Sequence, residues 1–413
     1  MSRSDRSLTS RGRLLAGVAS AVAAIGPSRD ADEVAAAITA EIVHHPDIRY
    51  AGIFSMEPDD GLFMHGGYLA GQPLPAQPVE PSALSSEFRR RALQGPWVGT
   101  LGTPETAFGR MALAGGVSDL AFLPLTSNGD LLGLLIAGTG STTDRRLRLR
   151  LSELVDFAAI ASALLVPALH ERRGRMETRD RVNRVIQDGA FHPVFQPLVD
   201  MRTRRVLGYE ALTRFDDGTP PDVMFAAAAD AGLGIELETA TLERAMAAVS
   251  RIPDDLFLDL NASPELVLAV EPLRSLVQHW GKKVVIEVTE HARIDDYARL
   301  RAGIAGLGDN VVLAVDDAGS GFASLRHILE LRPQFVKLDR ELVRHVDSDP
   351  ARQALAAGMA HFAAQSSITL VAEGVETREE RRTLIDLGIW AGQGYLFGRP
   401  QRMVRRIAGR HAA

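Results

Sequence analysis

After Ala190 the chain repeats one pattern eight times: a short apolar run suited to a buried strand, then a segment of helical character. The runs are HPVFQPLV, RVLGYEAL, LFLDLN, KVVIEVTE, VVLAVDD, QFVKLD, ITLVAE and WAGQGYLF. Eight strands alternating with helices leave few topologies, and an α/β TIM-type (β/α)8 barrel is the expected one. The first two runs are joined only by Asp200 to Arg205, too short for a parallel crossover helix. One antiparallel strand is therefore expected in an otherwise parallel barrel.

Polar residues fall at telling places in these runs. Glu210 lies in the second, Asn261 ends LFLDLN, Glu287 interrupts VVIEV, and Asp316 and Asp317 end VVLAV. Lys337 sits in FVKLD, Glu373 follows TLVA, and Gln393 lies in the last run. A charge inside a buried strand is unfavourable unless it is paired or metal-bound. One such residue reads as a core salt bridge. Seven strands delivering acids, amides or a lysine to one barrel end read as a site, because barrel enzymes build theirs there. The blander alternative is a polar barrel mouth laced with salt bridges.

Clustered carboxylates repel, and divalent cations relieve the repulsion. Oxygen ligands without a histidine cluster favour Mg2+ or Mn2+ over zinc. Two such ions about 4 Å apart can activate a water and stabilise both oxygens of a phosphodiester displacement. The chain has no cysteine, which excludes disulfides, thiolate catalysis and cysteine-ligated zinc. Its formal charge of -6 argues against a nucleic-acid polymer as partner.

Residues 186–405 resemble an EAL domain, the family of cyclic di-GMP phosphodiesterases named for the tripeptide Glu210-Ala211-Leu212. FQPLVD, GYEALTRF, LDLNASP, IEVTE, DDAGSGFASL, FVKLDR, VAEGVE and QGYLFGRP carry the resemblance as an ordered series. It implies two-metal hydrolysis of cyclic di-GMP to linear pGpG. By resemblance, Glu210, Asn261, Glu287 and Asp316 hold one metal, and Asp317 holds or bridges to the second. Glu373 stands near the second metal and the attacking water, and Lys337 contacts that water or the scissile phosphate. Gln196, Leu212, Arg214, Asp339, Glu376 and Gln393 match the substrate site, and Glu290 matches an acid that steadies the loop after Asp317. That loop, usually DDFGTG, reads Asp316-Asp317-Ala318-Gly319-Ser320-Gly321 here, so Ala318 replaces an aromatic ring. The alternative is a degenerate EAL domain that binds the nucleotide, or a partner protein, without cutting it.

The first half has a different texture. Residues 1–13 read as a disordered leader, and Leu14 to Ala40 as two helices broken at Pro27. Tyr50–Met56, Phe63–Leu69 and Leu120–Leu125 read as strands, and "LTSNGDLLGLLIAGTG" as a hairpin turning at Asn128-Gly129. An α+β domain over residues 14–170 follows, and it resembles a GAF domain, which implies a sensor or dimerisation unit for an unknown small-molecule or protein signal. His44, His45 and His65 could in principle ligate haem or metal, although solvated or core histidines are the simpler reading. From Arg145 to Asp188, Leu147, Leu151, Leu154, Phe157 and Ala161 share a helical face. This segment is either a helix that pairs in a homodimer or a capping helix with a solvated linker over 171–185, and Pro167 favours a kink. No stretch is expected to span a bilayer, so the expected location is cytoplasmic, with residues 406–413 a tail.

Overall fold

The structure, a computed structural model, describes residues 30–44, 48–57, 61–79, 83–100, 107–140, 144–250, 252–278, 280–288, 294, 296–318 and 322–403. The expected helix before Pro27 lies outside these residues, as do His45, Glu290 and Gly319 to Gly321. The chain divides into two compact units, Met1–Glu177 and Thr178–Ala413.

In the first unit, α1 (Ala31–Val43) precedes β1 (Ile48–Met56), β2 (Leu62–Leu69), β3 (Gln72–Leu74) and β4 (Gln77–Val79). Next come α2 (Ala83–Ala92), β5 (Trp97–Thr100), α3 (Ala107–Ala114), β6 (Asp119–Ser127) and β7 (Asp130–Thr139). The sheet order is β3-β2-β1-β7-β6-β5, with β4 also on β2, and every pairing is antiparallel. Alternation along β1 sends Ala51 and Ile53 to a core with α1, and Tyr50 and Phe54 to a core on the other face. The β6–β7 hairpin turns at Asn128 (φ 51°) and Gly129 (φ 92°), the two positive φ values that a type I′ turn requires.

A 45-residue helix, α4 (Asp144–Asp188), runs on through Pro167. Leu154, Ala158, Ala161, Leu165 and Ala168 repeat at steps of four and three and are buried in the α1-side core. Leu151 is half-buried there, while the side chains of Leu147 and Phe157 lie outside the described residues. The expectation that no stretch reaches membrane-spanning length is corrected here. By length and composition Leu154–Asp188 does so, with a window of mean hydropathy 1.5 that is 44% buried within the protein. The need to cover the sheet accounts for that apolar run.

Of the three histidines, His44 is exposed beside Glu41 at 4.0 Å, and His65 is buried between Asp32 and Ser55. Burial holds His65 below its ordinary value against the opposing pull of Asp32. A histidine depressed in the folded state makes its full contribution above its unfolded pKa, which is lost as pH falls through that value and the unfolded chain takes up the proton. Lowering pH from about 7.5 to about 5.5 should therefore lower the melting temperature of the wild type by more than that of His65→Gln, the difference being roughly a few degrees by differential scanning calorimetry.

The second unit is a closed barrel. Its strands are β8 (Phe191–Asp200), β9 (Val206–Phe215), β10 (Phe257–Asn261), β11 (Val284–Val288), β12 (Val311–Ala318), β13 (Phe335–Leu338), β14 (Thr369–Ala372) and β15 (Ala391–Gly392). The closing order is β10-β11-β12-β13-β14-β15-β8-β9, and β8 is antiparallel to both neighbours while the rest run parallel. All eight expected runs are strands, including the antiparallel one. Val182 and Val185 of α4, in the segment expected as linker, are buried with Phe191, Phe215 and Met224.

The interior of this barrel is built in tiers. Leu198, Phe257, Val285, Ala314, Val371 and Ala391 form an apolar cluster joined by the half-buried Phe335. Gly208 pairs with Phe257, and a Cβ there would meet the Phe257 ring at 2.5 Å. Side chains two positions apart on a strand share a face. Moving two residues toward the carboxyl ends of the parallel strands gives Glu210, Asp259, Glu287, Asp316, Lys337, Glu373 and Gln393, and on the antiparallel β8 the step back gives Gln196. Each of the eight strands thus contributes one polar residue directly above the apolar plug.

Candidate active site

Lys337 is the hub of the polar tier. It is 1% exposed, and its Nζ lies 3.5 Å from Glu210 Oε1, 3.4 Å from Asp259 Oδ2 and 3.2 Å from Glu373 Oε1, with Glu287 Oε2 closest of all. These are charge contacts by distance, and Nζ has no partner in hydrogen-bond geometry among the described residues. Burial pulls the ammonium down, yet Glu210, Glu287, Glu373 and Asp259 together hold it well above its ordinary value. It is a fixed positive charge.

The acids around it respond in the opposite sense. Burial raises Glu287 well above the usual carboxylate range despite the lysine, pushes Asp259 to about 6, and pushes Glu373 to about 8. One ammonium cannot compensate five carboxylates, so protons or further cations must share the work. Asp259 Oδ1, both Glu287 oxygens and Asp316 Oδ1 are buried without a hydrogen bond among the described residues.

Two amides lock one side of the tier. Gln393 Nε2 donates to Gln196 Oε1 at 3.0 Å and also to Glu210 Oε2, while Gln196 Nε2 donates to the Gly398 carbonyl at 3.2 Å. Asn261, at the end of β10, donates from Nδ2 to Glu210 Oε1 at 3.3 Å. Gln196 and Gln393, both expected at the substrate site, are 8% and 4% exposed; Gln393 bonds the Glu210 carboxylate and Gln196 braces Gln393.

The remaining expected residues are placed less centrally. Leu212 is half-buried and Arg214 exposed on β9, two and four residues above Glu210, and Arg214 Nη1 donates to the Thr213 carbonyl at 2.8 Å. Asp339 caps α5 (Arg340–Val343), its Oδ1 accepting from Glu341 N–H at 2.6 Å. Glu376 is exposed, and its backbone N–H donates to Glu380 Oε2 at 3.0 Å. No described contact joins Leu212, Arg214, Asp339 or Glu376 to the Lys337 cluster. Asp317 lies in β12, with its side chain outside the described residues. Ala318, expected in the loop, instead ends β12, is fully buried in the core and pairs with Leu338.

Sequence reasoning missed Asp259. It is 1% exposed and within reach of Lys337. The signal was present: Asp259 stands two residues before Asn261 and two after Phe257, on the same inward face.

The donor set is all oxygen, acidic and partly without partners, which is the chemistry of a hard divalent cation. As they stand, however, the acids fan around Lys337, and no three among the described residues converge in the manner of a formed metal shell. The residues fit such an ion by type and by surplus charge.

A sequence model of the EAL domain matches residues 179–400, more than half of the chain. The chain belongs to the EAL domain family. It is similar to the cyclic di-GMP phosphodiesterase PdeL of Escherichia coli, 28% identical over 238 residues, covering 54% of this chain and 66% of that protein. It is also similar to the cyclic di-GMP phosphodiesterase PA2567 of Pseudomonas aeruginosa, 28% identical over 307 residues, covering 69% of this chain and 49% of the relative. The chain thus spans 66% of the length of PdeL, and it covers 37% of the cyclic di-GMP phosphodiesterase PdeF of Escherichia coli. Among solved structures, the EAL enzyme Bd1971 in its cAMP- and cyclic-di-GMP-bound form superposes with a TM-score of 0.52 at 19% identity, covering 86% of this chain and 93% of that one. At that identity the likeness speaks for the fold.

Proposed function

We propose that this EAL-domain protein is a cyclic di-GMP phosphodiesterase that hydrolyses one phosphodiester bond to give linear pGpG. The observation that carries the reading is the complete polar tier, in which all eight strands aim an acid, amide or lysine into one ring above an apolar floor. Membership of the family and the similarity to cyclic di-GMP phosphodiesterases support the substrate.

In this reading Glu210, Asn261, Glu287, Asp316, Asp317 and Glu373, with Asp259 added by its position, would hold two Mg2+ or Mn2+ ions. Such ions supply a nucleophilic water at neutral pH and charge stabilisation at the phosphate. The chain's own residues do the rest. Gln393 and Asn261 hold the two Glu210 oxygens in fixed directions, which keeps that carboxylate from rotating. Lys337 supplies a permanent positive charge beside the place where phosphate charge develops. Glu373 is, at 20% side-chain exposure, the most open of the four acids paired with the lysine, and so the one best placed to face an attacking water. Arg214 stands at the barrel mouth where a substrate phosphate would enter.

The N-terminal unit completes the proposal as a GAF-like sensor in a cytoplasmic homodimer. An antiparallel sheet with helices on both faces supports that reading.

Purified protein with Mn2+ or Mg2+ should convert cyclic di-GMP to pGpG by anion-exchange chromatography. Chelator should stop it, and Ca2+ should inhibit, because a larger and flexibly coordinated ion suits two-metal geometry poorly. Glu210→Ala and Asp316→Ala should each abolish turnover. Intact substrate after long incubation with Mn2+, together with measurable binding, would replace this reading by the binding-module one.

A further inference from the structure

The inward face of the barrel's first hairpin can be followed upward pair by pair. Gln196 pairs with Glu210, Val194 with Leu212 and His192 with Arg214 across β8 and β9. Side chains two positions apart share a face, so His192 and Arg214 stand on the side of the polar tier, two steps nearer the mouth. The opposite face agrees in parity: Phe191 and Phe215 pack against Val182, Met224 and Leu237 of the surrounding helices. At about 3.3 Å per residue, four residues put His192 and Arg214 roughly 13 Å along the strands from the Glu210 level.

His192 is held in a fixed direction there. Its Nδ1 lies 2.7 Å from Asp216 Oδ1. An ionised carboxylate can only accept, so Nδ1 is the nitrogen that carries the proton. The backbone under the pair is tied on both strands. Asp216 N–H donates to the Ala190 carbonyl at 3.0 Å, Arg244 Nη1 to the Phe191 carbonyl at 2.6 Å, and Arg181 Nη2 to Asp217 Oδ2 at 2.7 Å. With Nδ1 engaged, the neutral ring presents Nε2 as an acceptor, and 29% of the side chain is open to solvent. Beside it Arg214 offers donors alone. The mouth therefore sets a fixed acceptor next to a cation.

We propose that His192 is a specificity-determining residue whose Nε2 accepts from the base-pairing edge of a guanine in the bound cyclic dinucleotide. Guanine carries N1–H and the N2 amine as neighbouring donors on that edge, and proteins read unpaired bases through it. Adenine has an unprotonated N1 in the same place, and its lone pair would face that of Nε2. A phosphate carries only acceptors, so at this level it is matched by Arg214 and not by the neutral imidazole. A substrate whose phosphate reaches the acidic ring extends its ribose and base toward the open end, past His192. Asp216 is a positioning residue, because it acts through the ring by fixing its tautomer and direction. The inference rests on the reading of the barrel as a cyclic di-GMP site and names what selects the base within it.

Isothermal calorimetry in Ca2+, which should block turnover, measures cyclic di-GMP and cyclic di-AMP binding to the full chain. The wild type should prefer cyclic di-GMP. His192→Ala should weaken cyclic di-GMP about tenfold and shift cyclic di-AMP by less than about twofold, the effect of losing one hydrogen bond to the base. His192→Gln, which returns an acceptor near the position of Nε2, should recover most of the preference. Asp216→Ala, which frees the ring, should lose part of it. In Mn2+ the His192→Ala loss should appear in KM for cyclic di-GMP rather than in kcat. Equal weakening of both nucleotides by His192→Ala would make the histidine a phosphate or ribose contact and overturn the inference, as would an unchanged preference. A wild type that cuts cyclic di-GMP yet binds cyclic di-AMP as tightly overturns the inference alone. A wild type that binds neither nucleotide overturns the cyclic di-GMP reading and this inference with it.

Discussion

Replacing Lys337 by methionine is expected to abolish turnover and to lower the barrel's melting temperature by roughly 10 °C. The substitution keeps volume and apolar stem but removes the one ammonium that faces Glu210, Asp259, Glu287 and Glu373. Breaking a buried charge pair from one side typically destabilises by about 3–5 kcal/mol, because the partner charge stays buried and uncompensated. Here four partners are left. Part of the loss should return when Mn2+ is added, since a divalent cation supplies the same sign of charge to the same oxygens. Calorimetry with and without the ion reads both effects. A variant as stable as the wild type would show that the lysine is not the counter-charge of the ring.

Glu287→Gln should separate activity from stability. Glu287 is 1% exposed, is the acid nearest the Lys337 ammonium, and has neither oxygen in hydrogen-bond geometry. Burial already drives its carboxyl well above the usual range, so the charged form is the strained one. Converting it to an amide removes one of five competing acids and leaves the lysine with the others. Stability should stay within about 1 kcal/mol of the wild type or rise. Turnover of cyclic di-GMP should fall at least roughly a hundredfold, and the thermal shift produced by Mn2+ should shrink. If Glu287→Gln destabilises the barrel as much as Lys337→Met does, surplus negative charge is the wrong description of the ring.

Much of the barrel was legible because its strands are locally consistent. Each run is apolar, short and interrupted by a polar residue at one inward position, so both the strand and its buried face were marked. The antiparallel β8 was legible from the shortness of the turn between Asp200 and Arg205. Asp259 is hidden in the sequence because Asn261 marks the strand end, while the inward face of Asp259 shows only through the two-residue step from Phe257. The buried roles of Gln196 and Gln393 depend on contacts 183 to 202 residues apart in the chain, which no local pattern carries.

The first unit was read less fully. Its hairpin at Asn128-Gly129 follows from turn chemistry. By contrast β3 and β4 are three residues long, mostly exposed, and each contains a proline, so they lack the periodicity that marks a strand. Pro167 argued for a kink, yet the helix runs on through it, with buried residues on both sides that hold it against the sheet. The Asp32–His65–Ser55 relay joins α1, β2 and β1 and is visible only after folding.

The apolar floor of the barrel bears on molecular traffic. Leu198, Phe257, Val285, Ala314, Val371 and Ala391 close the amino end of the strands beneath the polar tier. A nucleotide held in that tier has one door, and the linear product must leave by the way the cyclic substrate came. Entry and exit then compete for the same passage, so accumulating pGpG should slow the enzyme as an occupant of the doorway rather than as a distant regulator.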